Sequence, residues 1–361
     1  MRKIRVGMLG AGTILDAHAP AYTANSERCE VVAIATRDLD EKSVGRIREK
    51  LGGGVQIFGD YEELLAKSDV DAVDVMLPHN LHLPAVAAAA RAGKHVLVEK
   101  VMARNIDECD KMLKACEAAG VSLVVGHDRR YCPEWAALKE IAASGKLGKL
   151  LFFKLEHNQN VIFPKGSWVF KKDGIGGGAI MSCLTHQIDA LRWIGGEVAT
   201  VAAMSTTVPE RMEGECIGVI AARMESGALA QLSINWYTTS NRTENGLWYE
   251  LIHICGTEGE AYFMTGKGTF YKVHDESDKR LFEYALEATN KAFEKVELNE
   301  ARPPHTVMIT EWLKMLRGEP ANILTYGSDS RRTVEVAEAA YRSEASGQFV
   351  RLPIEPRPWG E

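Results

Sequence analysis

Lys3-Ile-Arg-Val-Gly-Met-Leu9 runs without a break into Gly10-Ala-Gly12-Thr13-Ile14-Leu15, and a helical pattern follows. An apolar strand, a glycine turn and a helix in that order carry backbone N–H groups to the positive end of a helix, where a pyrophosphate is held without a charged side chain. The Gly-x-Gly spacing recurs at Gly52 and Gly54, Gly176 and Gly178, and Gly266 and Gly268, so spacing alone decides nothing. Only the first copy follows a clear strand and opens a helix. Leu15 replaces the third glycine of the full dinucleotide fingerprint, which makes the match partial.

Outward from this turn, strand-like and helix-like segments alternate. Strands are expected at 3–9, 30–36, 55–58, 72–76, 95–98 and 121–125, with helices between them such as Leu83 to Arg91, ended by Gly93, and Ile106 to Ala119, ended by Gly120. That rhythm predicts a doubly wound parallel sheet of Rossmann type over residues 1–126. After Gly126 it changes. A helix at Pro133 to Ala143 leads into β-rich stretches at 149–158, 197–208, 216–240 and 247–275, broken by turns at Glu225-Ser-Gly227 and Gly256-Thr-Glu-Gly259. We expect one large open antiparallel sheet there, followed by helices near 305–317 and 329–345, the second capped by Ser328 and stopped by Gly347. Residues 127–361 are thus expected to form an α+β domain for substrate binding and oligomerisation.

Two strand ends carry chemistry, because ligands of open α/β sheets bind at the carboxyl edge. His95-Val-Leu-Val-Glu99-Lys100 delivers an acid and an amine there. The second strand ends in Ala35-Thr36-Arg37, where an NAD site commonly has a carboxylate for the adenosine ribose. A hydroxyl and a guanidinium suit a 2′-phosphate better, so NADP is favoured, with NAD possible.

Composition narrows the partners. A net charge of −6, with 46% hydrophobic and 25% charged residues, describes a globular chain without the basic clusters that nucleic acid or anionic membrane would attract. No apolar run reaches the roughly 20 residues of a membrane helix, and the opening strand leaves no room for a secretory leader, so a cytoplasmic location is expected. Seven cysteines without a Cys-x-x-Cys pair read as reduced thiols rather than a disulfide framework, and no metal site is expected. Cys183, near the proposed site, is read as a small core residue.

The ordered set of Gly10-Ala-Gly12 through His18, Pro78-His-Asn80-Leu-His82, Ala92-Gly-Lys-His-Val-Leu-Val-Glu99-Lys100, Arg130-Tyr-Cys-Pro133, Gly176-Gly-Gly178 with His186 and Asp189, Gly256-Thr-Glu-Gly259 and Ala339 to Gly347 resembles the glucose-fructose oxidoreductase, inositol dehydrogenase and rhizopine catabolism (Gfo/Idh/MocA) family. The resemblance covers nearly the whole chain. It implies an NAD(P)-dependent dehydrogenase or reductase acting on a sugar, glycoside, cyclitol or related polyol, assembled as a homodimer or homotetramer. Two departures stand out: Val101 replaces the proline that usually follows Glu-Lys, and Ser182 stands where the family often has a catalytic aspartate.

Residues 180–194 read as a helix with Ile180, Leu184, Ile188 and Leu191 as its apolar stripe and Ser182, His186 and Asp189 on another face. With the resemblance, this makes His186 the expected general acid/base and Lys100 the group that polarises the reacting oxygen, with Ser182 orienting the imidazole. Leu77, Pro78, Asn80, His82 and Glu99 are expected on the cofactor beside Gly10, Gly12, Thr13, Ile14, Thr36, Arg37 and Lys100. Arg130, His157 and Trp168 join Lys100, Ser182 and His186 on the substrate. Two other functions use the same fold: a redox-assisted epimerase, lyase or glycosidase with transient C3 oxidation and a retained cofactor, and a non-catalytic dinucleotide-sensing regulator.

Overall fold

A computed structural model describes residues 2–238, 249–274, 293–298 and 302–360. The parts of the expected strands at 239–240, 247–248 and 275 lie outside the described residues. The first sheet is built in the chain order β1 (Ile4–Leu9), α1 (Leu15–Thr23), β2 (Cys29–Ala35), α2 (Glu41–Leu51), β3 (Gln56–Phe58), α3 (Tyr61–Lys67), β4 (Ala72–Val75), α4 (His82–Arg91), β5 (His95–Val98), α5 (Ile106–Ala119) and β6 (Leu123–Val125). Its strands lie in the order β3-β2-β1-β4-β5-β6, all parallel. Helices cover both faces, which is why β4, Ala-Val-Asp-Val, is buried along its whole length. Local chemistry sets the boundaries: the Asn105 side chain accepts the Glu108 N–H at 2.9 Å to start α5, and Gly120, left-handed at φ +65°, ends it.

The second sheet follows α6 (Pro133–Ala143) and is formed by β7 (Leu150–Asn158), β8 (Val198–Thr207), β9 (Glu215–Met224), β10 (Leu229–Asn235), β11 (Tyr249–Gly256), β12 (Gly259–Met264), β13 (Gly268–Val273), β14 (Glu294–Lys295) and β15 (Val350–Arg351). Its order is β14-β13-β12-β11-β7-β10-β9-β8-β15. One pair departs from the expected antiparallel pattern, for β10 runs parallel to β7. After β7 the chain leaves the sheet through the short helix α7 (Lys172–Ile175) and α8 (Thr185–Gly195) and re-enters it at β8 in the direction of β7, and the antiparallel β8–β9–β10 meander then brings β10 beside β7 in that same direction. The opposite face is left open, with Met204 and Val219, cross-strand partners, 71% and 39% exposed.

Two helices tie the sheets together. α9 (Pro304–Leu316) returns to the first sheet, where Met308, Ile309, Trp312 and Leu313 share a core with Val6, Met8, Ile34 and Leu97. α10 (Gly327–Ser346) packs between α5, α8 and β8, and Thr325 just before it accepts the Val125 N–H at 2.9 Å. Ser328 is not its cap: the helix begins a residue earlier, at Gly327, where a side chain would meet Leu113 and Leu123 at 3.1 Å. Close packing rather than a capping hydroxyl sets this start, while Gly347 ends the helix as expected, at φ +64°. All strands of the first sheet thus precede residue 126, yet part of its core comes from residues 304–316. Trp312→Ala is therefore expected to cost about 3–5 kcal/mol in urea unfolding, as for other large buried side chains, and a loss below about 1 kcal/mol would mean that α9 is not part of that core.

Candidate active site

Gly10 ends β1 with φ +110°, and a Cβ there would lie 2.4 Å from the carbonyl oxygen of Met76, so only glycine lets β1 and β4 close at this edge. Gly12 and Thr13 are exposed in the turn, and α1 begins after Ile14 without a side-chain cap. Arg46 of α2 braces the turn from behind, donating to the carbonyls of Ala11 at 2.8 Å and Gly12 at 3.1 Å and pairing with Asp16 at 3.0 Å. At the end of β2, Thr36 is half-buried, its hydroxyl accepting the Asp38 N–H at 3.3 Å, and Arg37 is exposed. Leu77 and Pro78 lead into a turn over His79–Leu81, and Asn80 keeps its amide oxygen buried without a partner. An uncapped helix start, a glycine cradle and an orphaned amide oxygen fit a dinucleotide along this edge.

Glu99, at the end of β5, is held in a buried charge network. His18 of α1 lies between Asp74 at 2.7 Å and Glu99 at 3.0 Å, and Tyr22 donates to Asp74 at 2.9 Å. Burial opposes charging the His18 ring, but the two carboxylates outweigh it and raise its pKa to about 10. Burial would likewise raise Glu99, yet the His18 hydrogen bond and charge hold it down at about 2. His305 brings a further ligand-type atom within 4.8 Å of His18 and Glu99, but both His18 nitrogens are already engaged. Glu99 thus faces inward, under the cofactor edge, and its second oxygen accepts the Lys100 N–H at 3.2 Å.

Lys100 reaches out of the first sheet. Its Nζ donates to the main-chain carbonyl of Ser182 at 2.9 Å, and the peptide that follows it, to Val101, is cis. Ser182 lies in a π turn over Ile180–Leu184 that leads directly into α8, and His186 is the second residue of that helix. The wider turn shifts the helical phase, so Ser182, His186 and Asp189 do not share one environment as simple periodicity implies. His186 is 7% exposed with Nδ1 unpartnered, while Asp189 is fully engaged with Arg130. Burial, then the Lys100 ammonium and the Arg129 guanidinium, push the His186 pKa well below its ordinary 6.5, leaving a neutral imidazole.

Other expected contacts divide. His157, on the inward face of β7, and the half-buried Cys183 meet at 3.4 Å from Nε2 to Sγ, so Cys183, which packs against the core, also has a histidine partner that the sequence did not show. Trp168 is 38% exposed and packs edge-on against His79 at 5.0 Å, leaving indole surface free. His82 does not reach the cofactor edge: its ring is buried, with Nε2 2.8 Å from the Leu77 carbonyl and Nδ1 3.0 Å from that of Val101, so it ties two turns together. Arg130 is not a substrate group either. It forms a bidentate pair with Asp189 at 2.7 and 2.8 Å, adds Asp329 at 2.5 Å and the Leu324 carbonyl at 2.7 Å, and is buried where the two sheets' helices meet.

Sequence reasoning passed over several residues that converge here. His127, fully buried with neither ring nitrogen partnered, follows β6 at the ligand-binding edge, and its place just after Leu123-Val-Val-Gly126 was the signal available. Arg129 pairs with Glu250 at 2.9 Å, and Gln187 approaches the same carboxylate at 3.5 Å; neither contact has a sequence signature. The larger clefts among the described residues lie elsewhere, among them one of about 490 Å³ at the start of β1 and β2 and one of about 750 Å³ between Arg104, Tyr341 and Trp359. Neither contains Lys100 or His186, and convergent chemistry rather than volume marks the crevice.

A glycine cradle at the head of a doubly wound sheet is the mark of a dinucleotide-binding enzyme fold. The chain belongs to the GFO/IDH/MocA family: residues 4–127 match its oxidoreductase domain with NAD-binding Rossmann fold, and residues 135–262 match a GFO/IDH/MocA C-terminal domain. It is 30% identical to the levoglucosan dehydrogenase of Pseudarthrobacter phenanthrenivorans over 58% of this chain and 56% of that one. It is 26% identical to the myo-inositol 2-dehydrogenase of Thermotoga maritima over 97% and 98% of the two chains. The chain spans about three fifths of the length of several curated relatives. Among solved structures it resembles the WlbA dehydrogenase of Bordetella pertussis in complex with NADH and UDP-GlcNAcA, with a TM-score of 0.79, 26% identity, and 98% and 100% of the two chains covered.

The His18 network has a pH signature of definite sign. Its folded pKa, about 10, lies above the ordinary 6.5, so the stabilisation is complete below pH 6.5 and is lost as pH rises through about 10. The melting temperature of the wild type should therefore fall relative to His18→Asn across that window. Parallel melting curves for the two proteins from pH 6.5 to pH 10 would exclude a charged His18.

Proposed function

We propose that the protein catalyses hydride transfer between a nicotinamide and a hydroxyl-bearing carbon of a sugar, glycoside, cyclitol or related polyol. The observation that carries this reading is the Lys100–Ser182 hydrogen bond, which ties the ammonium to a carbonyl four positions before the neutral His186, whose Nδ1 has no partner. When bound, the nicotinamide supplies the hydride acceptor or donor. Gly10, Gly12, Thr13 and Ile14 form the cradle for its pyrophosphate, and Leu77, Pro78 and Asn80 line the approach to Lys100. Residues 1–126 serve as the nucleotide domain and 127–361 as the substrate domain.

In the oxidative direction, neutral His186 accepts the hydroxyl proton while Lys100 hydrogen-bonds the same oxygen and stabilises its developing negative charge. In the reductive direction the histidine returns the proton. Ser182, in place of a carboxylate, contributes its main-chain carbonyl to Lys100 and adds no anion to stabilise an imidazolium, consistent with the low pKa of His186. Trp168 offers its indole face to a ring, and His157 hydrogen-bonds a substrate hydroxyl. Relatives named for levoglucosan and myo-inositol support ring-shaped polyols as the substrate class. Self-association uses the open face of the second sheet around Met204 and Val219.

Exposed Arg37 beside Thr36 favours NADP over NAD, since neither brings a negative charge against a 2′-phosphate. Arg37→Ala is expected to weaken NADPH binding roughly tenfold with little change for NADH, in fluorescence titrations; equal effects on both would remove the preference. Lys100→Met and His186→Ala should each lower kcat on a responsive sugar or inositol by about 10²–10⁴ while leaving the dissociation constant for reduced cofactor within about threefold. A panel of sugars and cyclitols read at the absorbance of reduced nicotinamide supplies the substrate. Undiminished kcat in either variant would overturn the assigned roles.

A further inference from the structure

We propose that Cys183 is a covalent modification site, a nucleophilic thiolate held by His157 in the crevice and open to soft electrophiles and hydroperoxides. The sulfur lies 3.4 Å from His157 Nε2 and 3.9 Å from Nδ1. The imidazole is buried on the inward face of β7, and Gln159 Oε1 lies 3.2 Å from the same Nε2, so the one N–H there is shared between the amide oxygen and the sulfur. Cys183 directly follows the residue whose carbonyl binds Lys100 and precedes His186 by three positions, and its half-buried side chain also packs against the main hydrophobic core.

The seven cysteines divide sharply. Burial pushes Cys29, Cys109, Cys116, Cys132, Cys216 and Cys255 above the ordinary thiol value, and the Glu134 carboxylate adds to this at Cys132. At Cys183 burial acts in the same direction, but the His157 charge and hydrogen bond, aided by the Lys100 ammonium, outweigh it and lower the value. Glu250 of β11 is the anion that opposes them, and Arg129 neutralises it at 2.9 Å. His157 gains correspondingly, to about 9.

Thiolate next to imidazolium is the arrangement that makes a cysteine reactive. With hydrogen peroxide, the sulfur attacks one oxygen, an S–O bond forms and the O–O bond breaks. The hydroxide that leaves takes the His157 proton and becomes water, so the thiolate is oxidised by two electrons to sulfenic acid and the peroxide is reduced. With an alkyl iodide, an S–C bond forms and iodide departs. That either adduct closes the substrate crevice rests on the function proposed above; the reactivity itself does not.

Timed iodoacetamide labelling of the full chain, with the adducts quantified by peptide mass spectrometry, tests the site without measuring turnover. At pH 7 Cys183 should be alkylated at least about tenfold faster than Cys132 and Cys255, the other half-buried thiols, with a pH midpoint below the ordinary thiol value of about 8.5. His157→Gln should slow labelling of Cys183 about fivefold or more and raise that midpoint, its fold checked by circular dichroism. Dilute peroxide should leave a dimedone-reactive sulfenic acid on the Cys183 peptide first. A midpoint at or above about 8.5 in the unaltered chain, or labelling no faster than at Cys132, would overturn the proposal whether or not the variant folds. Failure here with intact hydride transfer refutes the thiolate alone, whereas absent turnover with fast labelling refutes only the function.

Discussion

A half-buried ammonium must find an acceptor, and for Lys100 that acceptor is the carbonyl of Ser182 in the other half of the molecule. The lysine is delivered by β5, whose strand is fixed by parallel neighbours on both sides; the carbonyl is turned toward it by the π turn that opens α8. That bond of 2.9 Å links the cofactor edge directly to the turn that opens the histidine helix. Behind it stands the His18–Asp74–Glu99 network, which fixes the residue before Lys100 from below. The lysine is positioned from both sides, and its charge adds to burial in keeping His186 neutral.

Much of the fold was legible because it follows from local pattern. The limits of α5 can be read from Asn105, the helical run and Gly120, each of which satisfies backbone groups within its own few residues. The Gly10 turn was legible for the same reason, and so was the acid–amine pair ending β5. What stayed hidden depended on partners far away in the chain. Arg130 and His82 look like ligand groups in sequence, since nothing near them accounts for a polar side chain, yet Asp189, Asp329 and the carbonyls of Leu77 and Val101 engage them in the fold. The parallel β7–β10 pair and the glycine-led start of α10 were likewise invisible, because a crossover and a close approach decide them rather than any turn residue.

The candidate site shows the same division. Lys100 and His186 were legible as residue types in the right context, and Ser182 was recognisable as a departure. The manner in which Ser182 acts was not, because its contribution comes from the main chain, which every residue possesses. His157 and Cys183 were separated by 26 positions and joined only by the packing of the π turn before α8 onto the sheet. A cysteine next to a histidine in space carries a different chemistry from a cysteine in a core, and no spacing rule distinguishes them.

The grip of Arg46 on the carbonyls of Ala11 and Gly12 has an implication for affinity. Because a trans peptide points its carbonyl and its N–H in opposite directions, engaging those two carbonyls on one side turns the N–H groups of Gly12 and Thr13 outward on the other. The anion cradle is consequently arranged before any phosphate arrives. The conformational entropy of ordering it is spent during folding rather than at encounter, so a dinucleotide would meet a stiff receptor and lose little of its interaction energy to rearranging the loop.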